Sequence, residues 1–262
     1  MKQLTHATIQ DRTQLSKDYY AITLASPEIA RAARPGQFIM IECKGDVFLK
    51  RPMGISAANP KTGTIRFIYR VCGAGTRALH EIPLKDTLEV IGPLGNGFWK
   101  EENARSVGLV AGGTGIGPII MFAHWLHETA PDVVIIGFIG AQSASIICGE
   151  KELQQAAKRV CLATDDGTLG DKGFITATLA AYLQNHSLQS LVACGPTPMM
   201  QKTAMLAEEH NIPCQVSLEE YMACGFGACL GCACEIRDHG YLMVCREGPV
   251  FDSRTVIWNE IL

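Results

Sequence analysis

The sequence predicts a multi-domain chain of mixed β and α/β type. An antiparallel β-barrel over residues 1–101 precedes a parallel-sheet α/β domain over residues 102–215, and a small cysteine-rich segment follows over residues 216–262. Three observations predict this. The first hundred residues hold short β-type runs punctuated by Gly and Pro turns, the pattern of a barrel. From Arg105 onward, apolar strands alternate with helical stretches, which implies parallel strands with helices on both faces. Five of the eleven cysteines fall between Cys224 and Cys245. At 262 residues the chain also exceeds a single typical domain of roughly 100–200 residues.

In the barrel part, residues 20–24 read as a strand ended by Ser26-Pro27. Residues 37–43 follow the Pro35-Gly36 turn, residues 64–71 follow the turn at Asn59-Pro60, and residues 87–91 end at Gly92-Pro93. Arg51-Pro52 ends a further strand-like segment ahead of Met53-Gly54. Ile68-Tyr69-Arg70 leads into Gly73-Ala74-Gly75-Thr76, where Gly75 and Thr76 open a short helix over residues 76–81. Arginines beside the free amides of a helix start suit a phosphate, and the Tyr69 ring suits a flat ligand. Exposed strand arginines and a plain glycine turn account for the same residues equally well.

In the second part, residues 107–111 form an apolar strand running into Gly112-Gly113-Thr114-Gly115-Ile116-Gly117-Pro118. A helix follows over residues 119–128, with Pro118 suited to its first turn. Further strands are expected at 133–139, 160–163 and 190–194, and helices at 149–157, 174–183 and 198–211. A glycine turn after the first strand aims backbone N–H groups at a pyrophosphate. It departs from G-x-G-x-x-G, and the acid expected about 20 residues on is missing. Gln142-Ser143 stands there with no nearby Arg or Lys in sequence, which favours NAD over NADP. Cys194-Gly195-Pro196 ends the last strand, where such sheets bind ligands; a plain turn with a buried Cys is the alternative. Asp165-Asp166 in another strand-end loop reads as solvated acids or as a ribose or partner contact.

Cys224, Cys229, Cys232 and Cys245 read C-x4-C-x2-C with a distant fourth Cys, the spacing of a plant-type [2Fe-2S] ligand set. Zinc is the alternative, but structural zinc sites bring two short paired knuckles. Cys234 is a neighbouring spare thiol, and the C-x2-C step favours Cys232 over it. A turn and a strand across residues 238–244 return the chain to Cys245. His239, near that turn, is alone there, whereas a Rieske iron needs two histidines.

The net charge of −3 carries no basic or acidic block, so neither nucleic acid nor an anionic membrane is an expected partner. Residues 1–6 lack the apolar core of a secretory leader. No apolar run approaches the roughly 18 residues of a membrane helix. Eleven cysteines without a leader point to metal or redox use in the cytoplasm rather than to disulfides.

Gly92-Pro93-Leu94-Gly95-Asn96-Gly97-Phe98, Ala163-Thr164-Asp165-Asp166-Gly167, the run 217–229 and Glu247-Gly248-Pro249-Val250-Phe251 carry a resemblance that spans nearly the whole chain. Together they resemble the ferredoxin-reductase superfamily, and within it the electron-transfer subunits of class B dihydroorotate dehydrogenases. The resemblance implies FAD on the barrel, contacted by Arg51, Pro52, Met53, Gly54, Ile68, Tyr69, Arg70, Gly75 and Thr76. The superfamily usually carries Tyr at position 53 and Ser or Thr at position 54, so this chain departs from it at Met53 and Gly54. It implies NAD+ with its pyrophosphate at Gly112, Gly113, Thr114, Gly115 and Gly117, and its nicotinamide side at Cys194, Gly195 and Pro196. It also implies a [2Fe-2S] cluster on Cys224, Cys229, Cys232 and Cys245, and no catalytic acid–base residue. Electrons are then expected to pass from dihydroorotate to the FMN of a separate catalytic subunit. From there they pass to this cluster, to FAD and to NAD+, in pyrimidine biosynthesis, within a heterotetramer of two subunits of each kind. Two other readings are a diaphorase subunit of a hydrogenase or transhydrogenase type complex, and a non-catalytic iron-sulfur redox sensor.

Overall fold

A computed structural model describes residues 3–237 and 240–258. His239 and the turn expected at residues 238 and 239 lie outside the described residues.

Six strands close the barrel: β1 (Gln3–Ser16), β2 (Tyr19–Ala25), β3 (Phe38–Ile41), β4 (Arg51–Asn59), β5 (Thr64–Arg70) and β6 (Thr87–Leu94). Their order is β1-β2-β5-β4-β3-β6, and every pairing is antiparallel. Helix α1 (Pro27–Ala32) follows β2 and α2 (Ala74–Glu81) follows β5. Inward positions such as Ile22, Leu24, Ile39, Ile55, Phe67 and Leu88 fill the interior. Alternate positions on β5, Arg66 and Ile68, turn toward the second domain. Arg51-Pro52 opens β4 rather than ending a strand, which corrects the sequence expectation. The pairing of Ile41 with Arg51 places both at one end of the β3–β4 ladder, so the nine residues between them are loop.

The second domain comprises β7 (Ser106–Gly112), α3 (Ile116–Thr129), β8 (Val134–Ala141), α4 (Glu150–Gln154), β9 (Arg159–Thr164), β10 (Asp171–Lys172), α5 (Ile175–Asn185), β11 (Ser190–Cys194), α6 (Thr197–Glu209) and β12 (Cys214–Ser217). The sheet order is β10-β9-β8-β7-β11-β12-β15, where β15 (Val250–Asp252) comes from the C-terminal segment. All pairs are parallel except β12–β15. Thus β12 carries the chain across residues 215 and 216, and the C-terminal segment returns to edge the sheet.

The hairpin β13 (Ala233–Ile236) and β14 (Gly240–Met243) completes that segment. Its buried residues Cys232, Cys234, Val244 and Cys245 share one apolar core with Met40 and Leu94 of the barrel and with Val216 of the sheet. Each unit therefore buries apolar surface on the other two. Among the described residues no helix is long and apolar enough to cross a membrane.

Candidate cofactor cleft and cluster site

The carboxyl ends of β7 and β11 lie side by side, with Cys194 paired to Ala111. The two loops that leave them touch, and glycine makes this possible. A Cβ on Gly112 would lie 2.8 Å from Pro196 Cδ, and one on Gly195 would lie 2.7 Å from the Gly112 carbonyl oxygen. A Cβ on Gly115 would strike the Cys194 carbonyl. Gly113 differs: its φ is +56°, and a Cβ there would find only the Tyr19 hydroxyl, at 3.5 Å. Its bare backbone fronts the space between the domains.

That space is a cleft of about 610 Å³. The barrel lines it with Arg51, Pro52, Met53, Gly54, Ile68, Tyr69, Arg70 and Thr76. The second domain contributes Gly112, Gly113, Thr114, Gly115, Cys194, Gly195 and Pro196. Most of the site residues expected from sequence are thus brought to one cavity. Gly75 and Gly117 are not in its lining, and each serves it from behind. The Arg51 guanidinium lies over the first turn of α2, where a Cβ on Gly75 would be 2.7 Å from Arg51 Nε. Gly117 lets α3 approach the barrel, where a Cβ would sit 3.2 Å from Ser56 Cβ. Tyr69 lines the cleft, but its ring is 1 % exposed in the barrel core. Its hydroxyl meets His80 Nδ1 at 2.9 Å, so the ring is not free to cover a flat ligand. The Thr76 hydroxyl accepts the amides of Cys72 and Gly73 and so fixes the start of α2.

Met53 and Gly54 have physical reasons. Met53 is buried in the barrel core. A side chain at Gly54 would meet Pro118 Cγ at 2.6 Å, because α3 packs directly on β4 at this point. The hydroxyl usual at that position has no room.

The cluster loop rests on the barrel. Gly225, at φ +78°, leaves space that the Met40 side chain fills, with Leu94 beside it. Cys224 hydrogen-bonds with Cys229 and Cys232 with Cys245, and Cys224 also acts on Cys245 across the two pairs. Cys224 Sγ accepts the amides of Phe226 at 3.5 Å and Ala228 at 3.3 Å. Cys232 Sγ accepts the Cys245 amide at 3.4 Å. Burial works to raise the Cys224 pKa, but the amides of Phe226, Cys229 and Ala228 and the Cys229 thiol bring it down to about 6. Such a thiol is readily a thiolate ligand. Among the described residues no three or more His, Cys, Asp or Glu side chains converge on one metal position. Two pairs of cysteine sulfurs suit two irons, each taking two cysteines, rather than one tetrahedral zinc. Cys234 is buried in the core beside them, and burial, with Glu220 and Cys232 nearby, pushes its pKa up to about 11.

Comparison with known proteins gives the same division. Residues 6–99 match the oxidoreductase FAD-binding domain and residues 109–205 the oxidoreductase NAD-binding domain. Residues 219–257 match the iron-sulfur cluster binding domain of dihydroorotate dehydrogenase B. The dihydroorotate dehydrogenase B (NAD(+)) electron transfer subunit of Desulforamulus reducens is 36% identical over 246 residues, 92% of this chain and 93% of that one. The subunit of the same name from Caldanaerobacter subterraneus is 34% identical over 261 residues, 96% and 98% of the two chains. The chain belongs to the dihydroorotate dehydrogenase B electron-transfer subunits.

Among solved structures, a chain of the NADH-dependent reduced ferredoxin-NADP oxidoreductase aligns over 97% of this chain and 91% of its own, with TM-score 0.89 and 28% identity. The cytochrome b5 reductase domain of Ulva prolifera nitrate reductase shares the fold, with TM-score 0.67 and 19% identity over 80% of this chain and 94% of its own.

As in the family, FAD, NAD and an iron-sulfur cluster are this chain's cofactors, and the residues fit them. Arg51 packed over the first turn of α2 at Gly75 suits an anion, Gly113 offers bare backbone, and Cys224, Cys229, Cys232 and Cys245 offer four sulfur donors. Sequence reasoning missed Tyr19 and the run from Ser217 to Met222 in the cleft lining. The signal for that run was its place just after a sheet strand, where crevice residues concentrate.

Proposed function

We propose that this chain is the cytoplasmic electron-transfer subunit of an NAD-dependent dihydroorotate dehydrogenase. It passes electrons from the FMN of a catalytic partner subunit through [2Fe-2S] and FAD to NAD+ in pyrimidine biosynthesis. The complex is a heterotetramer of two subunits of each kind. The functional units are residues 1–101, 102–215 and 216–262.

A cluster exchanges single electrons, nicotinamide takes two as hydride, and a flavin does both. In this chain Arg51, Gly75 and the α2 amides hold the FAD phosphates, and Met53, Gly54, Ile68, Arg70 and Thr76 complete its bed, with the Tyr69 ring held behind it by His80. Gly112, Gly113, Thr114 and Gly115 receive the NAD+ pyrophosphate, with Gly117 allowing the approach of α3, and Cys194, Gly195 and Pro196 border the nicotinamide. Cys224, Cys229, Cys232 and Cys245 hold the cluster. The observation that carries this reading is the seating of the Cys224–Cys229 loop on barrel strand β3 through Gly225 and Met40, next to the shared cleft. Exposed Tyr221, Phe226, Leu230 and Tyr241 in the same segment offer the partner an apolar face around the cluster.

Co-expression with an FMN-bearing catalytic subunit tests the reading. The complex reduces NAD+ with dihydroorotate, and neither subunit does so alone. A complex inactive with dihydroorotate overturns the assignment. The alignment with the ferredoxin-NADP oxidoreductase chain favours the second reading, a diaphorase subunit of another complex. Activity with reduced ferredoxin in place of dihydroorotate would select it.

A further inference from the structure

Electrons that arrive through an iron-sulfur cluster arrive without protons. Forming NADH consumes a proton: NAD+ plus two electrons plus one H+ gives NADH. One proton must therefore enter this subunit for each hydride made, and the same proton leaves when the flow reverses. The cleft needs a group that holds it.

Glu219 stands where that group is needed. It follows β12 and lines the cleft with Gly113, Cys194 and Gly195. The register Cys194 to Ser217 sets β12 beside the strand whose loop borders the nicotinamide. Glu219 is an exposed residue of the cleft lining, and neighbouring protein atoms that desolvate its carboxyl raise its pKa. Among the described residues it makes no ion pair. Gly54, backed by Pro118, brings no side-chain hydroxyl to the cleft.

The other titratable groups of the cleft are poorer candidates. Cys194 is buried, and burial with the nearby Glu219 charge pushes its thiol up to about 12, too weak an acid near neutrality. Tyr19 is raised by burial and lies under Arg70. Tyr69 is held by His80. Arg51 and Arg70 line the cleft with guanidinium groups. Glu220 also lines the cleft and is raised by burial, but its charge acts on Cys234, on the cluster side. Cys72 and Tyr221 are exposed at the cleft rim.

We infer that the Glu219 carboxyl holds, at its oxygen, the proton that joins two cluster-derived electrons to make hydride, and takes it back in the reverse direction. This rests on the electron path proposed above.

The test uses the FAD- and cluster-loaded chain with the variants Glu219→Gln, Glu219→Asp and Glu220→Gln. Infrared spectra across pH should show a protonated-carboxyl band that titrates above the ordinary Glu range near 4.3 and vanishes in E219Q. NADH oxidation by ferricyanide, which takes electrons alone, should fall by about 100-fold in E219Q. Its pH break should disappear, NAD+ binding should stay within about twofold, and Asp should restore part of the rate. If E219Q keeps the wild-type rate, pH profile and infrared band, the inference is overturned. If the break vanishes in E220Q instead, the assignment to Glu219 is wrong. If NADH fails to reduce the wild-type chain at all, the electron path and the inference fall together.

Discussion

The Arg66 guanidinium of β5 grips the Glu152 carboxylate of α4 through two hydrogen bonds, of 2.8 and 3.0 Å. It ties the barrel to the nucleotide domain at residues 86 positions apart in sequence. Bidentate geometry strengthens such a pair. The side chains are 20% and 33% exposed, which keeps the gain below that of a fully buried pair. A double-mutant cycle with Arg66→Ala and Glu152→Ala should give a coupling of about 1 kcal/mol. Thermal unfolding checks it, and the coupling should shrink in high salt.

Gly54→Ser restores the hydroxyl common in the superfamily but places a Cβ against Pro118. Forcing atoms into this contact should cost about 1–3 kcal/mol. FAD should be retained less well despite the added hydroxyl. Flavin fluorescence on dilution measures this. Gly54→Ser with Pro118→Ala should recover most of the loss.

Gly225→Ala meets two penalties, a φ of +78° and the Met40 side chain. The left-handed backbone alone costs roughly 1–2 kcal/mol. The variant should lose iron and the visible absorbance of the cluster, while FAD content stays close to wild type. Metal analysis and the optical spectrum separate the two.

Cys234→Ala should keep the cluster and lose about 1 kcal/mol of stability, because this thiol packs in the core. Cys232→Ala should abolish cluster assembly. Loss of iron from Cys234→Ala would move the ligand assignment to that residue.

The barrel, the α/β alternation and the cysteine quartet were legible because each rests on local pattern. Strand β1 was not. Of its 14 residues only Ala7 and Ile9 are buried, so it lacks the alternation that marks a half-buried strand. Its pairing with β6 and β2 closes the barrel, a long-range fact. The start of β4 was misread because Pro52 looks like a terminator, yet its missing N–H costs nothing next to a strand end. At the site, Gly112 to Gly115 and the cysteines announced themselves by spacing. Glu219 and Tyr19 did not, because only folding brings β12 and β2 to the cleft. The Tyr69 ring illustrates the same limit. Its position on β5 was legible, but which face of the barrel it occupies depends on register.

An anaerobic titration with NADH, followed by visible absorbance and electron paramagnetic resonance, tests most directly whether the cleft and the cysteine quartet form one electron path. The account predicts that NADH bleaches the flavin bands and also yields the signal of a reduced [2Fe-2S] cluster, and that Cys229→Ala loses only the second. Flavin reduction with the wild-type cluster left oxidised, even when dithionite reduces it, would contradict the account.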